Sequence, residues 1–199
     1  MSSVIQFERH LKRRLAPPLV FVEMHQDQFA GNPAFDANIL KTVLANLRAL
    51  LDRVRFEGWP VAFVAAFGRV QHRTRSGLAW IEGFKPQRCD MVFEPTEDSC
   101  YSSTEFGAAM TSAGSHFVLA GFSFERVCLS TLIESPAHGH RASVIADASI
   151  TGPLRGCSAV ESQRAVAAIA SRYATVLTTA SWLNRVDGSS YRLEASDDI

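Results

Sequence analysis

The segment Gly121-Phe122-Ser123-Phe124-Glu125-Arg126-Val127-Cys128-Leu129-Ser130-Thr131 decides how this chain is read. The apolar run 117–120 leads into it and a helix-compatible stretch, 126–138, leaves it, so the segment sits where a strand hands over to a helix. Backbone N–H groups at such a junction lack helical partners, and the helix dipole is positive there. A thiolate or an oxyanion is therefore stabilised. Cys128 is a candidate nucleophile, and the direction of its side chain is the question the segment poses.

Outward from this turn, residues 19–22, 61–64, 91–93, 117–120, 142–145 and 175–177 are short apolar runs without strict alternation. They read as strands covered on both faces. Helical spacing predicts helices over 38–57, ending at Gly58, and over 160–173, with shorter ones over 104–113 and 127–137. Strands alternating with helices imply right-handed crossovers and a parallel sheet with helices on both sides. In such a sheet chemistry collects beyond the carboxyl ends of the strands, where strand order reverses. Three positions matter most: after Val22, after Phe93 and after Ala120.

Composition narrows the partners. The 199 residues, 47% hydrophobic, are expected to form one domain, with residues 1–16 as an N-terminal extension and 187–199 as a weakly ordered tail. Twenty basic residues balance twenty acidic ones, so no global field draws the chain to nucleic acid or an anionic membrane. A small molecule or another protein is the expected partner. No signal-peptide core and no apolar run approaching about 20 residues is evident, which predicts a soluble cytoplasmic protein. Cys89, Cys100, Cys128 and Cys157 lack C-x-x-C spacing and read as free thiols. The polar stretch 68–87, with Arg69, Arg73, Arg75 and Lys85, reads as a surface excursion with a mobile tip.

Three motifs fall at the three strand ends. Leu19-Val20-Phe21-Val22-Glu23-Met24-His25-Gln26-Asp27-Gln28-Phe29 follows the pattern L-V-I-D-M-Q-N-D-F, with Glu23 in place of aspartate. Asp90 through Thr104 follows D-x-V-V-x-K-x-x-x-S-x-F-x-G-T without a gap, with Pro95 at the lysine position. The opening segment follows G-V-x-T-x-x-C-V-x-x-T. By these motifs, from about residue 17 to residue 183, the chain resembles the isochorismatase-like cysteine hydrolases, the superfamily of nicotinamidases, N-carbamoyl amidases and isochorismatases. The resemblance implies a Rossmann-like three-layer α/β/α sandwich around a six-stranded, mainly parallel sheet of order 3-2-1-4-5-6. It also implies a homodimer or higher oligomer.

In that family an aspartate is thought to deprotonate the cysteine, a lysine helps hold the charge, and the thiolate attacks an amide carbon. Two registers compete here. Pinning Gly121 and Thr131 without a gap puts Val127 at the nucleophile and turns Cys128 by about 100° into packing. One inserted residue restores Cys128. With Pro95 in the lysine place, no cation is expected beside the acid, and a thiol there stays mainly protonated. Glu23 keeps the acid function but reaches one methylene further.

The leading expectation is a family fold whose cysteine-hydrolase activity is lost or weakened, with a small ligand or a partner bound in the old cleft. The alternatives are an amidohydrolase using Cys128 with Glu23 as base, and an isochorismatase-type general-acid enzyme using Glu23. The backbone N–H groups of Ser123 and Val127 are the expected oxyanion hole. Phe124 either narrows the cavity or simply repacks. Phe29, Phe67, Trp80 and Phe84 either border the cleft or belong to the core. Arg69, Arg73, Arg75 and Arg88 form an anion-binding rim or ordinary surface charge. His25 reads as a surface or hydrogen-bonded histidine, with pairing to Glu23 as the alternative. Ala65-Ala66-Phe67-Gly68 stands where nicotinamidases carry a D-x-H metal motif, and His72, His138 and His140 are scattered. No metal and no cofactor are expected.

Overall fold

Strand β1 (Leu19–Val22) has no exposed residue because its alternating side chains enter two different cores. Leu19 and Phe21 point into one, Val20 and Val22 into the other. The computed structural model describes residues 16–28, 37–65, 79–152 and 154–187. Around β1 run β2 (Val61–Val64), β3 (Met91–Phe93), β4 (His116–Gly121), β5 (Arg141–Ser149) and β6 (Thr175–Leu177). They form a six-stranded sheet of order β3-β2-β1-β4-β5-β6, the expected order, and every strand pairing is parallel. Strand order reverses at β1, which lies between β2 and β4. The crevice outside the carboxyl ends of β1 and β4 is therefore where a site belongs.

The first core is capped by α1 (Ala37–Phe56), whose Val43, Leu47, Leu50, Leu51 and Val54 face the sheet. The helix ends where Gly58 adopts φ 67° and the Trp59 N–H returns to the Val54 carbonyl at 2.8 Å. The second core is covered by α2 (Thr104–Ser112), α3 (Leu129–Glu134) and α4 (Ala159–Ala170). Helix α4 starts in a capping box, Ser158 accepting from the Glu161 N–H while Glu161 accepts from the Ser158 N–H. Two layers of helices thus enclose the sheet.

A last helix, α5 (Thr179–Asp187), goes beyond the sequence expectation, which had no element there. Its start is capped locally, Thr178 Oγ1 accepting from the Ser181 N–H at 3.1 Å and Ser181 Oγ from the Thr178 N–H at 3.0 Å, and it is tied down further by contacts distant in sequence. Asp147 accepts from the Thr179 N–H at 2.6 Å and from its hydroxyl at 2.8 Å, so an acid from β5 neutralises the positive helix end. Trp182 is 1% exposed and meets Trp59 edge-on, ring centroids 5.9 Å apart. Residues 1–15 and 188–199, most of the expected extension and tail, lie outside the described residues.

The expected surface excursion also needs correcting in its second half. Ile81 and Phe84 are buried in the first core, Phe84 packing on Phe21 with the Arg48 guanidinium over its ring. Residues 66–78 lie outside the described part. Among the described residues no helix is long and apolar enough to cross a membrane.

Trp182→Ala is expected to destabilise the fold by about 3–5 kcal/mol, the cost of a large aromatic removed from a closed core. Urea unfolding followed by circular dichroism checks this.

Candidate functional site

Glu23 immediately follows β1 and is completely buried. A carboxylate in that position is costly unless donors surround it. It accepts from the Gln28 side-chain amide at 2.9 Å, from the Ser123 hydroxyl, and from Arg126 Nη2 at 3.0 and 3.2 Å to its two oxygens. Arg126 Nη1 reaches outward to Asp98, which lies between β3 and α2. Burial works against the charge on Arg126, but Glu23 and Asp98 together outweigh it and raise its pKa. The acid is therefore accompanied by a cation, contrary to the expectation drawn from Pro95, which is itself buried. The positive charge comes from the turn after β4, not from the loop after β3.

The backbone is strained at this point. Glu23 has φ 52° and Ser123 φ 56°, ψ 45°, both left-handed conformations uncommon for residues other than glycine. The two side chains bonded to each other thus both stand on unfavourable backbone. Gly121 explains how the strand tips approach closely enough. At φ 130°, a Cβ there would lie 2.3 Å from the Val22 carbonyl oxygen and 2.7 Å from its nitrogen.

From Ser123 the chain enters a π-helical turn, Phe124–Cys128. The Ser123 carbonyl accepts from the Arg126 N–H at 3.1 Å and from the Cys128 N–H at 3.2 Å. The second bond spans five residues, so the turn holds one residue more than an α-turn. A turn of this kind absorbs the single inserted residue that the second register requires. The side chain it delivers to Glu23 is that of Arg126, a residue neither register singled out. Val127 and Cys128 both have zero exposure in the second core, beside Cys100 and Phe106.

The Cys128 thiol donates towards the Phe122 carbonyl, 3.7 Å away. Burial pushes its pKa well above the ordinary thiol range. Cys100 and Glu23 add to that, and Arg126 opposes it only in part. Burial likewise pushes Cys100 up to about 12. Cys89 and Cys157 are exposed.

The other expected site residues divide clearly. Ser123 reaches Glu23 through its hydroxyl; its turn comes from left-handed backbone, with no cis peptide among the described residues. Phe124 is fully buried in the second core, where it packs without exposed surface. Phe29, Phe67, Arg69, Arg73, Arg75 and His72 lie outside the described residues, and Arg88 is exposed. His25 is 3% exposed, not a surface residue, and its ring lies 4.1 Å from that of Trp80.

His138 and His140 are not scattered but meet at Tyr101. Tyr101 bonds His140 Nδ1 at 2.8 Å, and Thr111 bonds Nε2 at 2.9 Å. Thr111 donates its proton to the Gly107 carbonyl, so Nε2 carries the hydrogen and Nδ1 accepts from Tyr101. That cluster sits at the amino end of β5, away from the crevice. Among the described residues no three His, Cys, Asp or Glu side chains converge as a metal site.

Two measurements check this geometry. Gly121→Ala is expected to cost at least about 2 kcal/mol, because backbone at the β1 tip cannot give way. Arg126→Gln leaves Glu23 buried without its cation and is expected to cost about 3 kcal/mol, whereas Glu23→Gln/Arg126→Gln recovers most of that loss. Chemical unfolding of the four proteins in the cycle gives the coupling directly.

The family model for the isochorismatase domain matches residues 18–181. No curated protein matches the chain significantly. Among solved structures, an isochorismatase from Pseudomonas putida KT2440 is 21% identical, covers 91% of this chain and 99% of its own, and superposes with a TM-score of 0.72. A cysteine hydrolase from Pseudomonas syringae pv. phaseolicola 1448A is 18% identical, with 88% and 94% covered and a TM-score of 0.76. An isochorismatase-like hydrolase from Alkaliphilus metalliredigens is 15% identical, with 87% and 99% covered and a TM-score of 0.72. With the expected sheet order, the motifs at its strand ends and a family match over most of its length, this chain belongs to the isochorismatase family.

Proposed function

We propose that this chain is a member of its family that does not perform cysteine hydrolysis and uses the crevice beyond β1 and β4 to bind a small ligand. The observation that carries the reading is the guanidinium of Arg126 on Glu23, where a base would have to face a thiol. A general base needs a lone pair within hydrogen-bond reach of the proton it takes. Here the Glu23 oxygens accept from Arg126, Ser123 and Gln28, while the Cys128 hydrogen is directed at a backbone carbonyl. The raised thiol pKa of Cys128 points the same way, because the thiolate is the nucleophile and the thiol is not.

The same contacts weigh against a general-acid role. A protonated carboxyl carries one donor hydrogen, whereas Arg126, Ser123 and the Gln28 amide all present donors to Glu23. That surrounding suits a carboxylate. What remains is a family fold with a polar, strained centre that meets solvent through the part-exposed Arg126 side chain.

In the native protein iodoacetamide at pH 7.5 is expected to label Cys89 and Cys157 and to leave Cys100 and Cys128 untouched until the chain is unfolded, as read by peptide mass spectrometry. Amide, carbamoyl and vinyl-ether substrates are expected to turn over no faster than in buffer. Rapid labelling of Cys128, or turnover that disappears in Cys128→Ala, would overturn the proposal.

A further inference from the structure

Arg126 is used on two sides that differ in burial. Its inner side holds Glu23, which has no exposure, and Ser123, whose Oγ is 3.2 Å from Nη2. Its outer side, Nη1, holds Asp98, whose side chain is 45% exposed, while the Arg126 side chain itself is 34% exposed. Removing the inner carboxylate would take from Arg126, Gln28 and Ser123 the buried acceptor they share. Removing the outer one exposes an N–H that water or another anion can satisfy. The inner bond is buried, and the outer bond is partly exposed.

We infer that Arg126 Nη1 is a recognition point for a ligand carboxylate that takes the place of Asp98. The inference rests on the binding role proposed above and names the chemical class of the ligand. A partly exposed ion pair is worth little beside a buried one, so Asp98 yields to a competitor at smaller cost than Glu23 would. The incoming carboxylate regains the same charge-assisted hydrogen bond. Charge selects its class. Glu23 balances the guanidinium, so Nη1 takes one monoanion at a time, and a displaced Asp98 turns to solvent, where its charge is screened. A phosphate dianion would add a further negative charge beside Glu23, where water is excluded, and is disfavoured.

The test follows the Arg126 Nε–Hε resonance in ¹⁵N NMR at constant ionic strength, the signal being assigned by its loss in Arg126→Lys, which keeps a cation for Glu23. Acetate is expected to shift it saturably in the wild type, and about fivefold more tightly in Asp98→Asn, an exposed near-isosteric change. Acetamide is expected to leave it unmoved and inorganic phosphate to bind more weakly than acetate. An Asp98→Asn protein that acetate does not bind more tightly than wild type, or that acetamide or phosphate binds as well as acetate does, overturns the inference. Turnover is read separately. Hydrolysis by Cys128 alongside acetate binding would remove the proposed function and leave the anion site standing.

Discussion

A carboxylate with no exposure at the tip of the central strand must be neutralised where it stands, since the buried charge is tolerated only when paired and hydrogen-bonded. Most of the unusual geometry of this molecule answers to that constraint. Gly121 lets β4 approach β1 until backbone nearly touches backbone. Ser123 accepts a left-handed conformation to place its hydroxyl on Glu23, and the following turn opens to five residues, so that the Arg126 guanidinium returns over the same oxygens. Three separate departures from regular backbone converge on one acid. Strain of this kind persists only where the surrounding contacts over-determine it.

The electrostatic balance of the centre is made without a charge from position 95. Pro95 provides no charge after β3, yet the acid beyond β1 still has a cation, supplied from the opposite strand tip. Cys100 and Cys128 lie fully buried in the second core with Val22, Phe106 and Leu132, and burial raises the pKa of both thiols.

Much of the architecture was legible because it is written in local patterns. The apolar runs without alternation at residues 19–22 and 61–64 mark strands covered on both faces, and both strands have the expected bounds. Helix α1 follows from spacing and a terminal glycine. Helix α5 was missed although Thr178 and Ser181 cap its start locally; its other anchor, Asp147 on Thr179, spans 32 positions that no window contains. The centre was harder for the same reason. Glu23 and Ser123 could be singled out from motif position, but Arg126 could not, because one register of the turn rests on Gly121 and Thr131, the other on Cys128, and neither gives Arg126 a role. One signal was available: Arg126 lies three residues after Ser123, a spacing that brings side chains to the same side of a helical turn.

The five-residue turn at Phe124–Cys128 has a consequence for how the molecule can change. A π-turn is a stored surplus of one residue, and every side chain after it is out of phase by about 100° with what an α-turn would give. Substitutions keep that phase and only alter what occupies each direction. Loss of one residue between Phe124 and Val127 would instead rotate the whole of α3 against its neighbours and redraw at once which atoms meet the acid. In this fold, chemistry at the centre is a matter of helical phase as much as of residue identity.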